Sequence, residues 1–287
     1  MRATSLTTGA GIALQLLVAA VACRPADPPA AARASATPRV DTLFHEGFES
    51  GRFGAWDDGY DERKHRIVAD PALARTGQRF LDVTHPAGGD GGWLTRFLRP
   101  GYDSLYVRYF VRLEPGWVGG TKFVAFYGSR RDNEWSAFGK AGICPTGTDF
   151  FASMVVTEPE PETGHPMRFY TYYPEMRRDR DGHSCWGSYG DGTERYETPL
   201  TFSPGRWHEV AFWLRANRPG QRDAAQRFWL DGALKGEWSG ISLRASDVLR
   251  ISAVQLTFSI CCGGAPKTQH AYVDDLLVTT APPPPGR

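Results

Sequence analysis

Net charge is nearly absent. The 287 residues carry 33 Lys and Arg against 32 Asp and Glu, a formal charge of +1. That argues against a nucleic-acid partner, which calls for a clear basic excess. No Cys/His spacing of the kind that holds zinc is present. No convincing 3.6-residue apolar period appears, so at most short helices are expected, near residues 70–74 and 244–248. There is no internal repeat and no sign of a second domain. The one long apolar run, GAGIALQLLVAAVA at 9–22, is too short for a comfortable bilayer span.

That run follows Arg2 and precedes Cys23, and it reads as an export signal occupying 1–22. Small residues before a cysteine resemble a bacterial lipoprotein signal, which would make lipidated Cys23 the only membrane attachment. The alternative is ordinary cleavage after Ala22. Either way an exported protein is expected, in the cell envelope or secreted. Residues 23–39 are rich in Pro and Ala and read as a flexible tether. The folded domain is expected over 40–280, with a loose proline-rich tail at 281–287. Export permits disulfides. Cys144, Cys185, Cys261 and Cys262 allow three pairings, of which Cys144–Cys185 with Cys261–Cys262 is the one expected.

What the chain has in quantity is aromatic and turn-forming residues: nine Trp, eleven Tyr, sixteen Phe, 32 Gly and 21 Pro. These favour strands and turns. Alternation is clear at 105–113, where Leu105, Val107, Tyr109, Val111 and Leu113 share one side. It recurs at 206–215, where Val210, Phe212 and Leu214 oppose Trp207, Glu209, Trp213 and Arg215. Further strands are expected at 43–49, 66–68, 80–83, 122–127, 150–156, 167–173, 227–230, 233–238, 251–260 and 271–278. Asp231-Gly232 suits a two-residue hairpin. Turn-separated strands without βαβ units predict an all-β antiparallel jelly roll or sandwich, of the concanavalin A-like kind.

Three groups of residues could carry chemistry. A Trp on an otherwise polar strand face, Trp213, could cover the apolar side of a sugar. In the last strand Asp274 is expected to share a face with Tyr272, Leu276 and Val278. A carboxylate there needs a partner, and with Glu49 it could bind Ca²⁺ or be capped by backbone N–H groups. In strand 167–173, Arg168, Tyr170 and Tyr172 share a side. Lys122, Arg130, Arg131 and Lys140 outnumber the nearby acids Asp132 and Glu134, a local balance that fits a groove for a polyanion.

The segment from Phe44 to Val278 resembles the exported jelly-roll polysaccharide lyases that cut polyuronates, the alginate and glucuronan lyases. The resemblance rests on Phe44-His-Glu-Gly-Phe-Glu-Ser-Gly51, LYVRYFVRL at 105–113, GRWHEVAFWLRANRPG at 205–220, FWLDG at 228–232 and AYVDDLLV at 271–278. It implies a structural Ca²⁺ held by Glu49, Asp274 and carbonyls of Thr76 and Arg79. It also implies Lys122, Tyr170 and Tyr172 as catalytic residues, similar to a Gly-Gly-Lys segment and a Tyr-x-Tyr strand in the family. The family places Ser and Arg on the preceding strand, and here that strand carries Ser153 but no Arg.

The expectation is therefore a monomeric, Ca²⁺-stabilised lyase for an acidic polysaccharide, with Arg130, Lys140, Arg168 and Trp213 binding substrate. The rival is a non-catalytic carbohydrate-binding lipoprotein on the same fold. A paired-carboxylate glycosidase would need Glu209 and Glu237. A purely structural surface protein would leave Trp213 and Tyr172 on no common face.

Overall fold

Alternation makes the elements. In a computed structural model that describes residues 40–158, 165–260 and 263–283, fifteen strands form and no helix does. They are β1 (Thr42–Glu46), β2 (His65–Ala69), β3 (Arg79–His85), β4 (Trp93–Tyr102), β5 (Ser104–Leu113), β6 (Lys122–Arg130), β7 (Phe151–Thr157) and β8 (His165–Tyr172). There follow β9 (Arg195–Tyr196), β10 (Thr201–Phe202), β11 (His208–Arg215), β12 (Ala224–Leu230), β13 (Ala233–Ile241), β14 (Leu249–Thr257) and β15 (Gln269–Thr279). The expected signal, tether and lipid-bearing Cys23 lie outside the described residues, as do Cys261, Cys262 and residues 284–287 of the tail.

The strands build two antiparallel sheets. The larger runs β2-β3-β15-β5-β11-β12-β13-β9, with β1 also paired to β15; the smaller runs β10-β8-β7-β6-β14-β4. First and last strands lie side by side, Phe44 opposite Val278. Leu105, Val107, Tyr109, Val111, Val210, Phe212 and Leu214 are all fully buried. They face the smaller sheet, where Phe126 stacks on Phe212 at 5.2 Å and Phe169 meets Phe228 edge-on at 5.1 Å.

The interface between sheets is not wholly apolar. Gln226 of β12 is fully buried and reaches across the gap. Its Nε2 donates to Thr171 Oγ1 at 3.1 Å, and Ser153 Oγ donates to its Oε1. Ser153 and Thr171 are themselves hydrogen-bonded at 2.9 Å. A buried polar group left without these partners would cost about 1–3 kcal/mol, so the three side chains fix one another.

Two local expectations change. Residues 70–74 and 244–248 form no helix. The first is a single turn, with the Ala74 amide donating to the Asp70 carbonyl. In the second, buried Arg244 is fixed by Asn217, which holds the backbone of Leu243 and Arg244 in an irregular path. In β15 a bulge lies between Asp274 and Leu277, with Asp275 at φ 48°. The extra residue shifts the alternation. Asp274 lies opposite Phe110 on the outer side, while Val278 lies opposite the core residue Val107. Asp274 therefore does not share its face with Leu276 and Val278.

Candidate functional site

The smaller sheet has an outer face, and the expected catalytic residues stand on it. Lys122 lies opposite Val156, Val156 opposite Arg168, Met154 opposite Tyr170, and Ala152 opposite Tyr172. Directly opposed residues share a side, and the neighbours Phe169 and Thr171 point into the core. Lys122 Nζ is 5.4 Å from the centre of the Tyr170 ring. The rings of Tyr170 and Tyr172 meet edge-on at 5.7 Å. Lys122 and Tyr170 line a cleft of about 360 Å³, together with Gly119, Gly120, Glu158 and Tyr189.

The tyrosines are held from the side by residues 183–190. Ser188 pairs with Thr171 through two backbone hydrogen bonds, adding a short edge segment beside β8. A disulfide joins Cys185 to Cys144, as expected. Between Cys185 and Ser188 lies Gly187, at φ 30°, packed against Tyr170. A Cβ there would sit 2.2 Å from Tyr170 Cε1, so only glycine leaves room for the ring. The Tyr172 hydroxyl is hydrogen-bonded to that of Tyr170 and to the Gly187 backbone, yet burial outweighs both and raises its pKa.

The other expected residues separate. Arg168 stays at the cleft edge, its guanidinium 4.9 Å from the Tyr196 ring centre and 3.8 Å from Glu158. Lys140 lies 6.0 Å from the Phe150 ring, and Phe150 packs 6.2 Å from Tyr172, so Lys140 flanks the tyrosine end. Arg130 is at the opposite end of β6, paired with Asp132 at 2.6 Å. Trp213 is not part of this face. It lies on the outer side of the larger sheet, where its indole donates to Ser104 Oγ at 2.9 Å and packs against Arg215 and Arg227. Trp213 and Tyr172 therefore line no common surface, because the same alternation that buries Phe212 turns Trp213 away from the smaller sheet. Glu209 and Glu237 are also on the larger sheet, paired with Arg108 and Arg227.

Met154, Gln255 and Tyr189 of the face were not singled out from the sequence. Met154 occupies the position between Tyr170 and β6, while Ser153 points inward to Gln226 and cannot reach the cleft. Next along the floor, Gln255 accepts from the Tyr127 hydroxyl at 3.1 Å and donates to Thr95 at 2.8 Å. Tyr189 sits 5.3 Å from Tyr170. The parity of Met154 against Ser153 and of Gln255 in β14 could have found two of them. Tyr189 lies in irregular chain, where no period points to it.

The expected calcium residues meet around one loop. Asp274 Oδ2 accepts from the amides of Arg75 and Thr76 at 2.9 and 2.8 Å, and its Oδ1 from Asp275 at 2.7 Å. Glu49 Oε1 accepts from the amides of Gln78 and Arg79, both at 2.8 Å. Calcium takes oxygen ligands. As placed, residues 75–79 offer these acids N–H donors where the metal would need the carbonyls of Thr76 and Arg79. Backbone N–H capping, one of the two arrangements expected for the Asp274 carboxylate, is thus present at both acids.

The chain matches no protein-family model and no curated protein sequence. Solved structures do resemble it. A PL-14 alginate lyase from Aplysia kurodai superposes with a TM-score of 0.64 at 15% identity, covering 84% of this chain and 100% of that one. The alginate lyase Aly36B, as a double mutant in complex with alginate trisaccharide, gives 0.61 at 14% identity, covering 86% and 100%. An endo-β-1,4-glucuronan lyase from the fungus Trichoderma reesei gives 0.54 at 15%, covering 84% and 96%. The protein thus has the jelly-roll fold of the alginate and glucuronan lyases.

Proposed function

We propose that the protein is a polysaccharide lyase that cuts a uronate-containing polymer by β-elimination on the Lys122–Tyr170–Tyr172 face. The observation that carries this reading is one ammonium 5.4 Å from the first of two mutually contacting phenols, at an open cleft. Structures of the same fold that act on alginate or glucuronan support it. Export, with Cys23 as the lipid attachment, belongs to the same proposal.

The elimination asks three things of the site. A base takes the C5 proton beside the uronate carboxylate. The electron pair left behind forms the C4–C5 double bond as the C4–O4 bond breaks. The departing O4 then takes a proton. Lys122 would neutralise the carboxylate, so that charge developing on it is tolerated. Tyr170, in contact with that ammonium and lining the cleft, is the better placed base. Tyr172, kept protonated by burial, suits the acid. The hydrogen bond between the two hydroxyls would return the proton after each turnover.

A second reading, a carbohydrate-binding protein without activity, is favoured by β7, which carries no arginine where the resemblance implies one on that strand. The deciding experiment incubates the mature domain with alginate, glucuronan and glycosaminoglycans. Ultraviolet absorbance reads the unsaturated uronate product. Rising absorbance on any of them supports the lyase. A flat trace with retardation of the protein by one polymer in a gel would replace it with the binding module.

A further inference from the structure

We infer that an arginine-lined hollow at the far end of β6 is a second subsite for the same acidic polysaccharide, holding units beyond the Lys122 cleft. The inference rests on the proposed function for its ligand class. Its evidence is separate.

The hollow has a volume of about 740 Å³, twice that of the cleft. Arg99, Arg130, Arg131 and Arg250 line it, against Asp132 and Glu134. Arg99 is bidentate to Glu134, with both bonds at 2.9 Å, and Arg130 is bidentate to Asp132 at 2.9 and 2.6 Å. These pairs hold two guanidinium planes in place near solvent. Such exposed pairs contribute little, so a uronate carboxylate can exchange into them at small cost. Arg131 is exposed and makes no ion pair among the described residues.

Two buried polar atoms in the wall point the same way. Ser129 Oγ, on a residue 1% exposed, has no hydrogen-bond partner, and neither has Arg250 Nε. Buried donors and acceptors are nearly always satisfied, so these are places where a ligand hydroxyl or carboxylate would be welcome. Trp135 adds an apolar surface. It is 47% exposed and braced edge-on against Phe97 at 4.9 Å, which leaves indole surface for the C–H side of a sugar ring.

The hollow and the cleft share one face. Ser129 follows Tyr127 by two residues on β6, so both stand on the side that carries Lys122. Ser129 is seven positions beyond Lys122 on β6, about 23 Å at the rise of an extended chain. A polymer reaching both gains from the second contact without a second diffusional encounter.

The test titrates the wild-type protein, Arg131→Glu and Trp135→Ala with alginate and with glucuronan, each as trisaccharide and as polymer. In each variant the polymer-to-trisaccharide affinity ratio is expected to fall by about ten-fold. Polymer binding should also lose part of its salt sensitivity in Arg131→Glu. Arg131 is exposed, so its reversal does not threaten folding. An unchanged ratio in both variants, with the wild type binding polymer, overturns the second subsite and leaves the proposed function standing. No binding of either polymer by the wild type overturns both.

Discussion

The Lys122 ammonium stands over the Tyr170 ring, 5.4 Å from its centre, although the two residues come from strands separated by β7. The contact is within cation–π range. It ties the charge that would hold a uronate carboxylate to the phenol that would take the proton. Lys122→Met and Tyr170→Phe should each lower turnover by about 10²-fold or more, the range of a lost general acid or base. Both side chains face the cleft, so melting temperature should stay near that of the wild type. Retained turnover in either variant would remove that residue from the mechanism.

Gly187 tests whether the edge segment positions Tyr170. A methyl group there would lie 2.2 Å from the ring, so Gly187→Ala must displace the ring or the segment. Turnover is expected to drop with little change in substrate affinity, since the ring would be mis-set while Lys122 stays in place. Steady-state kinetics on the polymer found active would show it. Unaltered kcat would mean that the Tyr170 position does not matter.

The alkaline limit of stability follows from buried phenols. Burial raises the pKa values of Tyr172 and Tyr173 and pushes Tyr106 up to about 12. In the unfolded chain these groups ionise near 10. The folded state therefore keeps protons that the unfolded state gives up. The stabilisation is complete below about pH 10 and declines as the pH climbs toward about 12. Urea midpoints measured across that window should fall, and Tyr106→Phe should flatten the slope. A midpoint constant through the window would contradict the burial argument.

The loop that clasps Glu49 and Asp274 is the place to test for calcium. Both acids are held by amide donors from residues 75–79, so chelation is expected to leave the melting temperature unchanged. Asp274→Ala should destabilise by about 1–3 kcal/mol, because the amides of Arg75, Thr76 and Asp275 lose a charged acceptor. A rise of several degrees on adding calcium to chelated protein would show that the loop turns its carbonyls inward and takes the ion.

Much of this was legible beforehand. The alternation at 105–113 and at 210–214 predicted the core of the larger sheet residue by residue. The pairing of 150–156 with 167–173 placed Tyr170 and Tyr172 on one side. Alternation assigns a residue to a side of its own strand, but it cannot say which side of the sandwich that is. Trp213 was expected beside the tyrosines for this reason and stands on the other sheet. The bulge at Asp275 broke the parity of β15, because one left-handed residue shifts every later side chain and leaves no mark in a hydrophobic pattern. Capping of Asp274 by backbone N–H groups was one of the alternatives read from the sequence, but which residues supply the amides is set by the path of 75–79, which composition does not describe. Arg130 and Lys140, ten positions apart, were expected in one groove; β6 and the loop after it separate them, leaving Arg130 at the end of the strand opposite Leu249 and Lys140 beside Phe150.

Gln226 has a further consequence for how the chain arrives at this structure. Along β7, Ser153 turns toward its amide and Met154 toward the cleft. A slip of one residue would exchange them, pressing a thioether against the amide and stranding a hydroxyl outside. A buried apolar face already disfavours such a slip, and the amide adds a polar partner that only one register satisfies. The amide of the opposite sheet thus acts as a proofreader: strand pairings that bring the wrong residue beneath it are rejected when the two sheets meet, and the cleft inherits its order from that check.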